Sequence, residues 1–499
     1  MRKTILFFVL FICSVSAQPY RYTSTQFPNL TSQDNITFAT VPFIDGPLHT
    51  VETSTTEQEI KMDIFYPAND AVQLRPALIF VHGGGFITGN KNHDDMMAFC
   101  DSLAQKGYVT ATIDYRQGFN FLVGNIELHS QRAVYRGIQD GRSAVRFLRA
   151  NAANYGIDAD KIYMIGSSAG ALVGLHAVYM DQPNEVPSNC GLTPYTNATF
   201  PFSHVAPNLG PKDIGNHLEF NGTPNAVISL WGALNDTSLI SNTDETPVFL
   251  VHGEADTTVP FVEGSPFGYP LLPSVKGSSL IKDKYDDLEF EDYETYFVPN
   301  QPHEFYGVDN GTWENGTNGN TYWPIVLNKT VDFLWKLHKP NADFTFNNDT
   351  NSIVFTSNST SATSWLWDFG DGTFSDLENP IHTYINPGIY NVKLYIENDI
   401  KSWDETNQDV DVVILNSNQF NLNNLTISPN PFTDSVYIKG IESDAFVRLY
   451  NVSGALILEK SIRSVDSNIN LEDLASGVYF LKCTSLNSSK TFKLIKSVN

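Results

Sequence analysis

Ser168 stands at the centre of Gly166-Ser167-Ser168-Ala169-Gly170, directly after the apolar run Lys161 to Ile165 (KIYMI) and before the helical run ALVGLHAVYM. A G-x-S-x-G sequence between a strand and a helix forms a sharp elbow that pushes its middle serine out at the end of a sheet. Ser168, not Ser167, is therefore the candidate nucleophile. A serine hydroxyl needs a base to take its proton, and the base needs a carboxylate to fix its tautomer and stabilise its charged form. On a sheet with such an elbow the acid and then the histidine follow the serine along the chain. Two later segments supply them. Val251 to Pro260 (VHGEADTTVP) places Asp256 in a loop after a strand, and Pro302-His303-Glu304-Phe305 places His303 after the run Tyr293 to Val298. The expected set is Ser168, Asp256 and His303. His252 is an alternative base that better fits a turn-shaping role. Asp236 follows an earlier strand and Glu254 lies closer to its strand than Asp256, so both suit the acid role less well.

A tetrahedral intermediate also needs donors for its negative oxygen, and glycine-rich backbone can bring N–H groups close to it. His82-Gly83-Gly84-Gly85-Phe86 follows the run Ala77 to Val81 (ALIFV), with Gly85 83 residues before Ser168. His82 itself is expected to be structural.

The elements that must hold these residues are legible in the hydrophobic pattern. Short apolar runs at Ala77 to Val81, Tyr108 to Ile113, Lys161 to Ile165, Ala226 to Trp231, Val248 to Val251 and Tyr293 to Val298 alternate with longer helical stretches. Arg132 to Asn154 carries Ala133, Ile138, Ala144, Val145 and Leu148 at helical spacing. Alternation of this kind predicts stacked βαβ units, a doubly wound and mainly parallel sheet.

With these motifs in place, residues 60 to 338 resemble the α/β-hydrolase superfamily, especially esterases with an HGGG loop such as carboxylesterases and hormone-sensitive-lipase-like enzymes. The resemblance implies that Gly84, Gly85 and Ala169 supply the oxyanion N–H groups, with Gly83 shaping the turn, and that Asp114-Tyr115-Arg116 is a structural strand end. Ser167 stands where hormone-sensitive-lipase relatives carry an acidic residue, and Ala171 where a further glycine is common. The HGEADTTVP segment is more similar to that of acetyl esterases and prolyl-oligopeptidase-type peptidases.

After Lys339-Pro340 the texture changes to Asn, Thr and Ser with short strands. Ser364 to Ile396, with Trp367, Asp368, Gly370, Asp371, Gly372, His382, Tyr384 and Pro387-Gly388, resembles the PKD domain, an immunoglobulin-like β-sandwich. From Leu425 onward, Pro429-Asn430-Pro431-Phe432, Tyr450-Asn451 and Gly477-Val478-Tyr479 resemble the C-terminal sorting domain of type IX secretion. That resemblance implies passage across an outer membrane with help from the type IX machinery, then release or surface attachment.

Arg2 and Lys3, the nine-residue apolar run Ile5 to Cys13 and Val15-Ser16-Ala17 read as an export signal. The run is too short for a bilayer span, which needs about 20 residues. The expected organisation is a signal peptide over 1–17, an α/β-hydrolase domain over 18–338, and two small all-β sandwich domains over 341–415 and 424–499. Lys and Arg number 31 against 55 Asp and Glu, a net charge of -24 that argues against nucleic acid as a partner. A hydrophobic share of 41% excludes general disorder. Beyond the leader, Cys100, Cys190 and Cys483 offer neither a disulfide framework nor zinc spacing.

These readings point to a secreted or cell-surface serine esterase working through an acyl-enzyme, with no metal or organic cofactor. Its partner would be a small ester or an ester-decorated polymer, acetyl or feruloyl groups on polysaccharide being one such substrate. A lipase or serine peptidase of the same fold, or a catalytically silent adhesion protein, are the alternatives. Asp181 to Pro224 is too long for an ordinary connection, whose median is about 4 to 6 residues, and is a candidate cap. Phe86, Phe119, Phe121, Trp231 and Phe305 are candidate pocket residues, with Phe86 the one assigned to substrate binding.

Overall fold

The computed structural model describes residues 20–45, 51–119, 124–196, 202–316, 319–347, 352–413, 425–440, 445–462, 466–485 and 488–497. The expected signal peptide, Phe121 and Phe200 lie outside the described residues. The chain divides into two compact units, one of residues 1–345, 355–380 and 391–408, the other of residues 346–354, 381–390 and 409–499.

The first unit is built on an eight-stranded sheet. Its strands are β1 (Leu30–Ile44), β2 (Thr55–Pro67), β3 (Arg75–Val81), β4 (Val109–Ile113), β5 (Ile157–Ser167), β6 (Ala226–Leu230), β7 (Val248–Gly253) and β8 (Tyr293–Val298), in the spatial order β1-β2-β4-β3-β5-β6-β7-β8. β1 pairs antiparallel with β2 and β2 antiparallel with β4, whereas β4, β3, β5, β6, β7 and β8 run parallel. β3, β4, β6 and β7 are buried along their whole length. That explains their unbroken apolar runs, because strands covered on both faces have no polar side to alternate. The antiparallel pair β1 and β2 precedes the region in which the sequence pattern is clear; its polar, half-exposed residues give no apolar run to read.

Helices cover both faces: α1 (Asp94–Ala104), α2 (Ile126–Ala150), α3 (Ala169–Tyr179), α4 (Ser278–Asp287) and α5 (Trp323–Lys336). α2 begins six residues before its expected start. The polar side of α2 holds the long 181–224 segment by its backbone carbonyls. Arg132 donates to Asn189 O and Pro207 O, Gln139 to Leu209 O and Pro211 O, and Tyr135 to Gly210 O. Glu52, fully buried, forms ion pairs with both Arg132 and Arg136. Buried guanidinium groups need such partners, since an uncompensated buried charge is costly. The segment is thus a tethered layer over α2.

Ser364–Asp368, also in the first unit, pairs antiparallel with Phe374–Ser375 and with residues 393–397. Trp367 is buried among Phe344, Phe355 and Phe369. Residues 398–404 are stitched to the chain on either side of the large sheet. Tyr22 Oη donates to Ile400 O at 3.1 Å, Trp335 Nε1 to Trp403 O at 3.0 Å, and Asn398 Nδ2 to His338 O at 2.9 Å. Tyr20 stacks on Trp403 with ring centres 4.0 Å apart.

The second unit is all β among its described residues. Its larger sheet runs Leu456–Ile462, Ala445–Asn451, Gly477–Ser485, Ser488–Lys496, antiparallel throughout. Val436, Ile438, Val447, Leu449, Leu481 and Leu494 form its core. Cys100, Cys190 and Cys483 are free and buried.

Candidate active site

β5 ends at Ser167 and α3 starts at Ala169, so a single residue makes the whole turn. Ser168 adopts φ 52° and ψ -115°, a conformation that L-residues rarely hold and that persists only where the surroundings enforce it. They do so through the flanking glycines. A methyl group on Gly166 would lie 2.2 Å from Gly170 backbone atoms, and one on Gly170 would lie 2.0 Å from Val81 O. Ser168 N donates to Leu230 O at 3.0 Å, tying the elbow to the end of β6.

Asp256 follows β7 and His303 follows β8, which bring both to the same end of the sheet as Ser168. His303 Nε2 lies 3.0 Å from Ser168 Oγ, and His303 Nδ1 lies 2.6 Å from Asp256 Oδ2. Asp256 Oδ1 accepts from Thr258 N at 2.8 Å and Val259 N at 2.9 Å. Burial alone would raise the Asp256 pKa. Hydrogen bonds from His252 and His303, with the charges of the same two rings, outweigh it and hold the carboxyl down at about 2. A carboxylate in that state accepts from Nδ1 and leaves Nε2 as the proton acceptor facing the serine.

His252 is fully buried on the far side of Asp256, with Nε2 3.0 Å from Val259 O and 3.2 Å from Asp256 Oδ2. Because a carbonyl only accepts, Nε2 carries the hydrogen, and Nδ1 then accepts from Ser278 Oγ at 2.8 Å. His252 makes no hydrogen bond to Ser168; its partners are Ser278, Val259 and Asp256, and it braces the acid. Asp236 accepts from Ser238 N at the start of a short helical turn, and Glu254 is exposed.

The glycine loop after β3 holds Gly84 at φ 102° and Gly85 at φ 61°. A methyl group on Gly84 would fall 2.1 Å from Thr88 O, so no other residue fits that turn. Tyr115 Oη donates to His82 O and Gly83 O, both at 3.2 Å, and His82 Nδ1 donates to Gly83 O at 2.7 Å. Burial pushes His82 down to about 3, so it is a neutral part of the loop. The N–H groups of Gly84 and Gly85 have no hydrogen-bond partner among the described residues. Ala169 N belongs to the first turn of α3, where no acceptor exists within the helix. Three free donors therefore flank Ser168.

A cavity of about 140 Å³ opens beside Ser168 and Ala169, with Phe86, Phe119, Leu172, Phe267 and Leu272 in its walls. Trp231 and Phe305 do not line this cavity. Trp231 is fully buried and packs edge-on to His303, with ring centres 5.9 Å apart, and to Phe305 and Tyr306. Pro187 is the contribution of the long 181–224 segment to the wall. The bracing roles of His252 and Trp231 carried no motif in the sequence, whereas Tyr115 belongs to the strand end Asp114-Tyr115-Arg116 expected to be structural.

Residues 62–268 match the BD-FAE family. This part of the chain has the α/β-hydrolase fold. Residues 338–414 match the PKD domain and residues 426–497 the secretion system C-terminal sorting domain. The sorting domain marks a secreted or cell-surface protein. No helix among the described residues is long and apolar enough to cross a membrane. The hydrolase domain is similar to the neuroligin-like protein glit-1 of Caenorhabditis elegans, 32% identical over 140 residues, which cover 27% of this chain and 18% of that protein. It is also similar to carboxylesterase 1C of Rattus norvegicus, 24% identical over 314 residues covering 57% of this chain and 55% of the relative. Among solved structures, esterase 2 of Thermogutta terrifontis matches at 18% identity and a TM-score of 0.40, over 62% of this chain and 95% of that one. The chain spans less than a quarter of the length of the first curated relatives it matches, and about half of the rat protein.

Proposed function

We propose that the protein is an exported serine esterase that hydrolyses carboxylic esters through an acyl-enzyme. The observation that carries this reading is the unbroken hydrogen-bonded line from Ser168 Oγ through His303 to Asp256, at 3.0 and 2.6 Å. His303 Nε2 takes the Ser168 proton as Oγ attacks the ester carbonyl. The N–H groups of Gly84, Gly85 and Ala169 receive the oxyanion, and His303 then protonates the departing alcohol. Water, deprotonated by the same histidine, cleaves the acyl-enzyme and restores Ser168. Asp256 stays ionised throughout and keeps the imidazole oriented. The residues need no metal or organic cofactor for these steps. The apolar cavity receives the acyl group, with Phe86 on its wall.

Acetyl or feruloyl esters of extracellular polysaccharide are the substrate we favour. The support is architectural: a BD-FAE domain travels here with a PKD and a sorting domain. The test compares the full secreted chain with Ser168→Ala on p-nitrophenyl acetate, butyrate and octanoate, on methyl ferulate, and on acetylated xylan. Serine-dependent turnover of short or feruloyl esters and release of acetate from xylan are expected. A preference for octanoate would move the reading to a lipase. Absence of any serine-dependent ester turnover would overturn it, sending attention to peptide substrates and then to a binding role.

A further inference from the structure

Glu304 follows the proposed base directly and is used by none of the steps above. Its backbone is left-handed at φ 51°, a costly conformation for a residue with a Cβ. That turn sends its carboxyl back towards the glycine loop. Oε2 accepts from Asn310 N at 2.6 Å. Oε1 has no hydrogen-bond partner among the described residues, although Glu304 keeps only 7% of its exposure. A methyl group placed on Gly83 would sit 3.4 Å from Ser168 Cβ and 3.6 Å from Glu304 Oε1. The free oxygen and the Ser168 side chain therefore face the same Gly83, with Oε1 on the glycine-loop side of the nucleophile.

The two sides of the site differ in chemistry. The apolar cavity is walled by Phe86, Leu172, Phe267 and others, and neither His303 nor Glu304 belongs to its lining. The departing oxygen must come within reach of His303 Nε2 to receive its proton, which puts the alcohol on the side of His303 and Glu304. Resting on the esterase reading, we propose that Glu304 binds the alcohol portion of the substrate, its Oε1 edge pairing with a hydroxyl carried next to the scissile ester, as in esters of polyols and sugars. Burial, then the nearby charges of Asp95, Asp309 and Asp256, push the carboxyl up to about 8, against the opposing hydrogen bond from Asn310. A neutral acid can both donate to and accept from an alcohol, so it suits a hydroxyl better than a carboxylate would.

The experiment uses the full chain with glycerol 1-monobutyrate and propyl butyrate, which share the acyl group and the three-carbon alcohol but differ in the hydroxyls. A preference in kcat/KM of about 10-fold for the glycerol ester is expected, the size of one net hydrogen bond near the upper end of its range. Glu304→Leu should bring the ratio close to 1, mainly through the glycerol ester. Glu304→Gln should keep most of it, because the amide donates and accepts from the same place. Glu304→Met, near in length to Glu, repeats the test should the leucine variant fail to fold. A wild-type ratio near 1, or a ratio that survives both apolar replacements, overturns the proposal. p-Nitrophenyl butyrate serves as the reference. Serine-dependent turnover of that ester with no glycerol preference sinks the Glu304 assignment alone, and no serine-dependent turnover of any of the three sinks the esterase reading and this proposal together.

Discussion

The indole Nε1 of Trp231 donates a 3.0 Å hydrogen bond to Ser167 Oγ, the hydroxyl next to the proposed nucleophile. Both ends of this bond sit at strained turns. Trp231 has φ 46° at the end of β6, and Ser168 has φ 52° at the end of β5. With Ser168 N to Leu230 O, the bond locks two neighbouring strand ends together where the reaction would occur. Accepting from this indole is the physical role the Ser167 hydroxyl fills here.

Ser167→Ala would leave the Trp231 N–H buried with no acceptor. An orphaned buried donor costs about 1–3 kcal/mol, so the variant should unfold at lower denaturant concentration by that margin. Ser167→Thr, which keeps the hydroxyl, should recover most of it. Urea unfolding of the three proteins checks this, and equal midpoints would show that the bond contributes nothing.

Asp256→Asn removes the charge that stabilises protonated His303 and sets an amide against two backbone donors, Thr258 N and Val259 N. The turnover number should fall by on the order of 10⁴, as when a triad acid is amidated with its geometry kept. Steady-state kinetics on p-nitrophenyl butyrate, with circular dichroism to show an intact fold, test it. A loss of less than about 10-fold would remove Asp256 from the proposed mechanism, since losing a positioned proton-transfer partner ordinarily costs 10²-fold or more.

Much of this site could be read from residue order alone. The G-x-S-x-G elbow, the glycine run after β3 and the two strand-end loops each carry a local signature, because a strained turn or a close backbone approach demands particular residue types. Four of the parallel strands, β3, β4, β6 and β7, were legible for a similar reason: burial on both faces makes them largely apolar. β1 and β2 were not, since their alternating, half-exposed residues look like polar surface. The bracing contacts were also hidden. His252 to Asp256 spans four residues and Trp231 to Ser167 spans 64, and neither pairing follows from spacing. The tethering of 181–224 by α2 depends on carbonyl acceptors, which leave no mark in side-chain pattern.

The first unit carries its 398–404 residues as part of one packed body. Tyr22, Trp335 and His338 all spend polar groups on that segment, and Tyr20 stacks on Trp403. A chain ending at residue 338 would leave the Tyr22 hydroxyl and the Trp335 indole without these acceptors and expose the apolar faces around them. It should melt several degrees below the full chain, as losing 1 to 2 kcal/mol does in a domain of about 150–250 residues or more. Differential scanning calorimetry of the two proteins decides it; equal melting temperatures would mean that the contacts add no stability.

Glu304 makes the stability of the protein depend on pH in a direction opposite to that of most carboxylates. Its folded-state pKa is raised to about 8 from an ordinary 4.5. Between those values the folded state keeps a proton that the unfolded state has released, so stability falls as pH rises. The contribution is fully present below about 4.5 and is lost as pH passes through about 8. Glu304→Gln has no such proton to lose and retains a side chain of the same shape. Its melting temperature relative to wild type should therefore climb from pH 5 to about pH 8 and level off by pH 9. Asp256, held at about 2, shows the usual carboxylate behaviour, with stability present above 3.8 and lost only as pH falls towards 2, so it does not contribute to the slope in that window. Thermal unfolding of both proteins at five pH values across the range measures the difference directly. A constant offset would mean that Glu304 is ionised in the folded protein, and its carboxyl could then not donate to a substrate hydroxyl.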